Sequence, residues 1–384
     1  DLRQTVDSAT LDGDPISLAP ADYRDLGGGL QAEWRVMPVE LLACSTHQLV
    51  VTYALGPPSS PEGRAPQADA GRARWSFDFS DVLPGRFLEQ WFPVGLAQDA
   101  FGLTLALTVS GLSEPHRLMT NAEVQAEPSG PGAGERTWNL AFSPEMLASG
   151  PFLDLRPAGT GTLLELDEMS LWVEADAGVE PEAMQTLVSA ALADFADALG
   201  PWPHARPLQV VVDSTEVGME YSGATVTPPQ PGIVRHEVFH QWIGQALRPA
   251  GMAHAWMDEA VAVWWAEAEA EPHASPLDAD TPLTVLAPSS GWVRSTPNAA
   301  YSVGADVMAH LASVAGTEAV VAALKTLYAA HVGQRVTTAT LERHLYCAFQ
   351  ADVERAEVRR VFHRHVYGHE GVATPWGPEA CAIP

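Results

Sequence analysis

Two patterns of apolar and polar positions follow one another along the 384-residue chain, and they change near residue 160. Before this point, short alternating or apolar runs recur between loops rich in turn-forming residues, which is typical of antiparallel strands. The predicted strands lie at 49–53, 75–79, 103–109 and 137–142, and the main loops at 56–71 and 127–134. We therefore predict an N-terminal antiparallel β-sandwich domain over residues 1–160.

After residue 160 the apolar positions take on a helical period. Residues 182–199 show it first, residues 208–212 form a short apolar run typical of a buried strand, and the pattern is mostly helical from 231 to about 367. A β module followed by a mostly helical module predicts the fold class α+β. The second predicted domain covers residues 161–384, and the length of the chain suits two domains better than one core.

The helical region opens with two histidines one turn apart. His236 and His240 enclose Glu237 in the segment His-Glu-Val-Phe-His, and Glu259 follows after eighteen further residues. Side chains at i and i+4 project from the same face of a helix, so both imidazoles can reach one metal ion. Two histidines and one glutamate, with a fourth position left for water, are the ligand set of a catalytic zinc. Glu237 would flank the open side as a general base.

The neighbouring residues favour this interpretation over two unrelated histidines on an ordinary helix. Apolar residues around the pair give the helix a buried face. The segment 248–251, Arg-Pro-Ala-Gly, then stops this helix before a second apolar helix over 255–269 that carries Glu259. We therefore predict a Zn²⁺ site formed by His236, His240 and Glu259.

The charge of the chain limits its partners. There are 48 acidic residues against 21 basic ones, a formal net charge of −27, which repels phosphate backbones and excludes nucleic acid as an expected partner. No apolar run approaches the ~18–20 residues of a membrane span. The chain begins at Asp1, so a removed leader and a trimmed chain are both compatible with it, and the compartment stays open. The sequence does not indicate an oligomeric state.

The cysteines and a group of histidines near the C-terminus leave alternatives. Cys347 and Cys381, 34 positions apart, can form a disulfide or remain buried thiols, and the three cysteines of the chain are not spaced as zinc ligands. His363, His365 and His369 suggest a second metal site, but solvated histidines at a helix end are the favoured interpretation.

These motifs together resemble those of the aminopeptidase N-like gluzincins, a family of zinc metallopeptidases. The segment from His236 to Gly244 and the spacing to Glu259 match the family pattern. The segment 218–221, Gly-Met-Glu-Tyr, resembles its exopeptidase signature, and 301–305, Tyr-Ser-Val-Gly-Ala, resembles the segment with its catalytic tyrosine. Weaker likeness at 92–93 and 99–109 extends to the β domain. The resemblance implies a thermolysin-like, mostly helical catalytic domain after the β-sandwich.

The resemblance also implies roles for particular residues and a peptide substrate. His236, His240 and Glu259 would bind zinc, and Glu237 would move the proton of the attacking water. Tyr301 would donate a hydrogen bond to the tetrahedral oxyanion. Within the signature-like segment, Gly218, Met219 and Glu220 would bind substrate, with the Glu220 carboxylate on the free α-ammonium. The implied activity is a zinc-dependent exopeptidase acting on short peptides, an aminopeptidase first of all.

Departures from the family pattern keep two other functions open. Relatives carry a second acidic or amide side chain before the Phe-Pro segment, whereas Arg86 lies near that position here. Because arginine recognises carboxylates, Arg86 or Arg294 could instead hold the C-terminus of a peptide, as in a carboxypeptidase. A non-catalytic peptide-binding module is disfavoured, since the base and the three metal ligands are all present.

Overall fold

A computed structural model describes most of the chain. The described residues are 4–25, 31–56, 67–69, 71–74, 92, 101–129, 134–143, 150–214, 217–266, 277–278, 280–289, 293, 295–374 and 376–381.

Strands make up the regular structure described before residue 160. They are β1 (Gln4–Leu11), β2 (Asp14–Ile16), β3 (Ala19–Asp25), β4 (Gln31–Val36), β5 (Leu49–Leu55), β6 (Gln67–Asp69), β7 (Arg72–Arg74), β8 (Thr104–Leu112), β9 (His116–Thr120), β10 (Glu123–Ser129), β11 (Gly134–Ala141) and β12 (Leu153–Pro157). They pair antiparallel in the orders β2-β1-β5, β3-β4, β10-β11-β8 and β6-β7-β12-β9. A small apolar core includes Trp138, Leu140, Leu153 and Leu155.

The predicted N-terminal strands are confirmed where the structure describes them. Residues 49–53 lie in β5. The prediction 103–109 starts one residue before β8 and ends three residues short of its end, and 137–142 starts three residues after the start of β11 and ends one residue beyond it. The predicted strand 75–79 lies outside the described residues. The α+β class is confirmed, while the packing of these sheets as a sandwich and the domain boundary at 160 stay predictions.

A mixed five-stranded sheet begins the second part of the chain. Its elements are β13 (Gly161–Glu165), β14 (Met169–Glu174), α1 (Pro181–Ala198), β15 (Leu208–Val212), β16 (Met219–Tyr221) and β17 (Ala224–Thr227). The strand order is β13-β14-β15-β17-β16, with β14, β15 and β17 parallel and both outer strands antiparallel to their neighbours. The predicted strand 208–212 is confirmed at both ends, and the predicted helix 182–199 is α1 displaced by one residue.

Helices follow the sheet. They are α2 (Pro231–Phe239), α3 (Trp256–Val261), α4 (Val303–Ala315), α5 (Thr317–His331), α6 (Thr338–Ala348) and α7 (Asp352–Val361). Short 3-10 turns lie at Met252–His254, Asn298–Ala300 and Pro378–Cys381, and π-helical turns extend α3 through Ala262–Ala266 and α7 through Phe362–Val366. The short strands β18 (Arg248–Pro249) and β19 (Arg335–Val336) pair in parallel.

The helices pack on one apolar core around the metal-motif helix. Pro231 starts α2 at a position where a missing N–H costs no hydrogen bond. The buried rings of Phe195, Phe239 and Trp242 meet edge to face or tilted, at centroid distances of 5.4 and 6.0 Å from Phe195. Large apolar side chains supply most of the burial free energy of a core, so this contact fixes α2 against α1.

Buried charges join the N-terminal strands to the five-stranded sheet. Asp213, directly after β15, accepts hydrogen bonds at Oδ2 from Arg72 at 2.9 Å, Arg74 at 3.1 Å and Arg156 at 2.9 Å. Arg74 and Arg156 also donate to the fully buried Asp154. We call Arg72, Arg74, Arg156, Asp154 and Asp213 the ion cluster.

The C-terminal segment folds back on α6 and α7. Cys347 and Cys381 form a disulfide with Cα atoms 5.4 Å apart, which decides the alternative that the sequence left open. The Arg359 guanidinium stacks 4.1 Å from the Trp376 ring centroid. Of the tail histidines, His365 is fully buried and its Nδ1 lies 3.2 Å from the Pro282 carbonyl oxygen, so the prediction of a solvated side chain is wrong for it.

Across the described residues, no single helix has both the length and the apolarity to cross a membrane. Two consecutive helical segments, Asn298–Ala315 and Thr317–His331, meet the two criteria when taken together, but the chain bends by 116° between them.

Candidate metal centre

Three buried side chains from two helices converge at one point. His236 and His240 lie on one face at the end of α2, and Glu259 lies in the first turn of α3. The Nε2 atoms of the two histidines are 2.9 Å apart, and Glu259 Oε2 lies 3.0 Å from His236 Nε2 and 3.3 Å from His240 Nε2. The three side chains are 0–6% exposed. The structure therefore brings together the three ligands predicted from the sequence.

The spacing of these atoms fits a tetrahedral metal ion. Zn²⁺ holds nitrogen and oxygen ligands at ~2.0–2.2 Å, which places neighbouring ligand atoms about 3.3 Å apart in a tetrahedron. The observed separations of 2.9–3.3 Å approach this edge, so the two Nε2 atoms and Glu259 Oε2 could all bind one cation. Within the described part of the chain, no other three His, Cys, Asp or Glu side chains converge in this way.

The charges around the site favour a bound cation. Burial lowers the pKa of His240, but the carboxylates of Glu259, Glu220 and Asp258 outweigh it and raise this pKa well above its usual value. Burial raises the pKa of Glu259, yet His240 and His236 hold it well below its usual value. The site is thus built to keep Glu259 ionised beside positive charge.

The turn after α2 holds His240 against the start of α3. Gly244 has φ = +128°, and a Cβ added there would lie 3.0 Å from His240 Nδ1 and 3.2 Å from Asp258 Oδ2. Glycine is therefore required by both its conformation and its close contacts. The N-cap of α3 is Ala255, and Asp258 Oδ1 accepts from the Glu259 N–H at 2.9 Å. Asp258 is therefore not the N-cap of α3; it lies in the first turn, directly before Glu259.

Glu237 packs on Gly218. Its side chain is 5% exposed, and its Oε2 is buried without a hydrogen-bond partner. A Cβ on Gly218 would lie 2.2 Å from Glu237 Oε1, so only glycine leaves room for this carboxylate. Burial raises the pKa of Glu237 to about 8, and the neighbouring carboxylates of Glu220 and Glu259 add to this rise. A buried carboxylate with an open oxygen is suited to accept and return a proton.

Glu220 lies on β16, the edge strand beside α2. It pairs with Thr225 of β17 and is 9% exposed, and its charge raises the pKa values of both Glu237 and His240. The next residue on each side, Met219 and Tyr221, packs into an apolar cluster with Phe152 on the opposite face of the sheet. Because side chains alternate along a strand, Glu220 points away from this cluster, to the face of the sheet that α2 covers. Any contact of Met219 with substrate would therefore involve its backbone.

Tyr301 follows the 3-10 turn Asn298–Ala300 and lies beside His236. Its ring is stacked on His236, with centroids 6.3 Å apart and an interplanar angle of 11°. Close packing of α4 on α3 sets this position, because Gly304 lies against Ala260 of α3 so tightly that an added Cβ would be 2.9 Å from the Ala260 Cβ. The half-buried Tyr301 is thereby held beside the ligand group.

Arg86 and Arg294, the predicted cations for a carboxypeptidase, both lie outside the described residues. Two amide side chains that the sequence analysis did not single out lie near the site. Gln241 and Asn121 both donate to the turn that follows Glu220. In the sequence, Gln241 stands between His240 and the apolar Trp242 and Ile243. A polar amide beside apolar residues could have been singled out, because a buried amide needs hydrogen-bond partners.

No protein-family model and no curated protein matches the sequence. Solved structures do share the fold. The M1 zinc metallopeptidase from Deinococcus radiodurans, a mutant bound to the substrate Tyr-Ser-Ala, is 18% identical, with a TM-score of 0.67 over 97% of this chain and 86% of that chain. Legionella pneumophila aminopeptidase A in complex with aspartic acid is 14% identical, with a TM-score of 0.69 over 95% of this chain and 44% of that one.

Yeast LTA4 hydrolase is 11% identical, with a TM-score of 0.66 over 99% of this chain and 63% of that chain. At such identities the likeness establishes the fold. The chain has the fold of the M1 zinc metallopeptidases, in agreement with the resemblance of its motifs to those of zinc metallopeptidases. A β-sandwich followed by a thermolysin-like catalytic domain stays a prediction.

Proposed function

We propose that this chain is a zinc-dependent exopeptidase of the aminopeptidase type, which removes the N-terminal residue from short peptides. The observation that carries the proposal is the arrangement of five buried side chains. Three of them converge at the spacing of zinc ligands, Glu237 presents an open carboxylate oxygen, and Glu220 faces the same site from a neighbouring strand.

His236, His240 and Glu259 would hold the zinc ion. When bound, zinc lowers the pKa of a water molecule and polarises a carbonyl group. Glu237 accepts the proton of the attacking water through its open oxygen and later delivers it to the leaving amine. Tyr301, beside His236, donates a hydrogen bond to the former carbonyl oxygen, which becomes negatively charged when water adds to the carbonyl carbon. In each role the side chain supplies what the step needs: Glu237 a carboxylate that accepts a proton, and Tyr301 a hydroxyl that donates a hydrogen bond.

Glu220 is the residue that favours cleavage at the N-terminus of a peptide over cleavage at its C-terminus. A carboxylate that is 9% exposed beside the metal ligands offers a charge-assisted bond to the α-ammonium of a substrate. An anchor at that place binds a free N-terminus, whereas an internal peptide segment would leave the Glu220 carboxylate without a counter-charge. The Deinococcus neighbour was solved with the peptide Tyr-Ser-Ala bound, which supports peptides as the substrate class.

Paired substrates test the direction of cleavage. Zinc-loaded enzyme is assayed on a free-amine dipeptide amide, on its N-acetylated form, and on an acetylated dipeptide with a free carboxylate. We expect cleavage of the first alone, and Glu220→Gln should lower kcat/KM on it by roughly 10–150-fold, because a charge-assisted bond contributes about 1.5–3 kcal/mol. Zinc content by elemental analysis accompanies each variant.

The other outcomes separate the competing functions. Release of C-terminal residues from acetylated dipeptides, lost in Arg86→Ala or Arg294→Ala, would replace this proposal with the carboxypeptidase. Binding of peptides without cleavage by the zinc-loaded protein would indicate a peptide-binding module.

A further inference from the structure

The turn that carries Glu220 is short and lies at the edge of its sheet. Strand β16 has three residues, and in the described structure its ladder hydrogen bonds go to β17 alone. Ser222 and Gly223 connect the two strands, with Gly223 at φ = +75°. A hairpin of this size is not stable by itself, so side chains from other elements must fix its position.

Gln241 holds this hairpin from the side of the metal helix. Its side chain is fully buried, and its Nε2 donates to the carbonyl oxygens of Tyr221 at 3.1 Å and Ala224 at 3.2 Å. Its Oε1 accepts from the Gly223 N–H at 2.8 Å. One amide thus uses both its nitrogen and its oxygen on three of the four residues from 221 to 224. Gln241 directly follows His240 in the sequence. A proposed metal ligand and the side chain that bonds to the hairpin are therefore adjacent residues.

Asn121 holds the hairpin from the other side. It lies in the turn between β9 and β10, and its Nδ2 donates to the Ser222 carbonyl oxygen at 2.8 Å and to the Gly150 carbonyl oxygen at 2.6 Å. Its Oδ1 accepts from the Phe152 N–H at 3.0 Å. The turn between β9 and β10 is therefore linked to the hairpin by the side-chain amide of Asn121, which, like that of Gln241, bonds to backbone groups. We call the side chains of Asn121 and Gln241 the amide clamp.

We propose that the amide clamp positions Glu220 relative to the metal ligands, and so sets the affinity for a substrate with a free α-ammonium. The inference rests on the proposed function, because it assigns Glu220 to the ammonium. Asn121 and Gln241 are positioning residues, since their side-chain hydrogen bonds go to the hairpin and to the backbone at Gly150 and Phe152. The carbonyl and N–H groups that they satisfy are buried or half-buried, so loss of either amide leaves those groups to find new partners by moving the turn.

Misplacement of an anchor has a kinetic signature different from general loss of structure. A shifted Glu220 weakens the hold on the ammonium in the bound substrate, so KM rises on free-amine peptides. The metal ligands and Glu237 stay on α2 and α3, so zinc content and most of kcat are kept. Damage to α2 itself would instead lower zinc occupancy and kcat together.

The test compares Gln241→Met and Asn121→Leu, which are close in size to the native residues and remove the hydrogen bonds. Gln245→Met is the matched control, a second buried glutamine just after α2 whose side chain makes no bond to the hairpin. We expect KM on a free-amine dipeptide amide to rise about 10-fold in each clamp variant, the low end of the loss expected for a charge-assisted bond. Zinc stoichiometry should remain one per chain, and the control should keep its KM.

A double-mutant cycle with Glu220→Gln shows whether the clamp acts through Glu220. In that background the clamp substitutions should raise KM no further, because the anchor that they misplace has already lost its charge. Equal loss in both backgrounds, or unchanged KM in folded, zinc-loaded Gln241→Met and Asn121→Leu, would overturn the clamp. Should Gln241→Met fail to fold, Gln241→Glu keeps the acceptor for Gly223 and removes a donor, and it is held to the same expectation.

The outcome for Glu220→Gln alone separates this inference from the function on which it rests. If Glu220→Gln raises KM and the clamp variants do not, the clamp fails and the aminopeptidase proposal stands. If Glu220→Gln leaves KM unchanged, the role of Glu220 fails and the clamp fails with it.

Discussion

At the scale of single residues, space at Gly218 decides where Glu237 lies. The Glu237 carboxylate lies against the Cα of Gly218, and the atoms Oε1, Cδ and Cγ all fall within 2.5 Å of the place that a Cβ would take. Gly218 therefore matters for the lack of a side chain, independently of any contact that its backbone makes with substrate. A proton-transfer group must be held within hydrogen-bond reach of its water, so this contact bears on catalysis.

Gly218→Ala should displace the Glu237 carboxylate and lower kcat by about 10²-fold, the low end of what general acid–base catalysis contributes. Steady-state kinetics on a free-amine dipeptide amide measure this, with zinc content as the check that the ligands are intact. Gly232→Ala is the matched control: it lies on α2 and its added Cβ would meet no atom within 4 Å. Equal kcat in the two variants would show that Glu237 does not need this space.

At the scale of elements, the ion cluster ties strands β7 and β12 to the end of β15. Asp154 and Arg156 are fully buried and Asp213 is 2% exposed, so their charges have little access to water. Burial by itself raises the pKa of Asp154, but Arg74 and Arg156 outweigh burial and hold this pKa below its usual value. Removing one member leaves the others buried with uncompensated charge, which costs more than the pair itself contributes.

Asp154→Asn should therefore lower the free energy of unfolding by about 3–5 kcal/mol near neutral pH. The depressed pKa means that the stabilisation from Asp154 is fully present above about pH 4, the pKa of an unfolded aspartate, and is lost as pH falls through the lower folded pKa. The unfolding free energy of the metal-free native chain should thus fall more steeply below about pH 4 than that of Asp154→Asn.

Chemical denaturation across pH in the presence of a chelator measures both effects. Asp194→Asn is the control, because its ion pair with Arg235 lies at the surface and Asp194 is 60% exposed. A surface pair contributes about 0–1 kcal/mol. If Asp154→Asn changes stability no more than Asp194→Asn, the ion cluster does not join these elements energetically.

At the scale of the whole molecule, the disulfide closes the C-terminal part of the chain into a loop. Cys347 and Cys381 are 34 positions apart, and the loop encloses α7 and the segment that packs back on α6 through Trp376. Tyr346 adds a hydrogen bond from its hydroxyl to the Trp376 carbonyl oxygen at 2.8 Å. The bridge limits the conformations of the unfolded chain, and the ring contacts hold the same segment in the folded one.

Replacing both bridged cysteines, Cys347→Ser with Cys381→Ser, should lower the free energy of unfolding by about 2–4 kcal/mol, as chain entropy gives for a loop of this length. Denaturant titration measures it, and reduction of the native protein should produce a similar loss. Cys44→Ser is the control, since Cys44 is exposed and free. Native-like stability of the double variant would mean that ring contacts alone hold the segment. At denaturant concentrations below its unfolding transition, the double variant should keep the kcat of the native protein, because the disulfide shares no residue with the proposed site.

Local sequence determined the parts of this protein that depend on neighbours along the chain. The period of apolar residues predicted α1 and β15 almost to the residue, because a helix or strand must present one apolar face to a core. The i, i+4 spacing of His236 and His240 predicted that their imidazoles meet, since helix geometry alone brings them together. The spacing of the motif extended this prediction to Glu259 and to the candidate zinc site, and the resemblance to a known family implied the fold.

Tertiary structure decided what depends on residues far apart in the sequence. Asn121 meets Ser222 across 101 positions, and Arg72 meets Asp213 across 141, and no local pattern marks either pair. The space for Glu237 over Gly218 and the bond between Cys347 and Cys381 likewise follow from how the elements pack. Periodicity records which face of an element is buried, whereas polar partners are chosen by the position of each buried group in three dimensions, where every donor and acceptor must be satisfied.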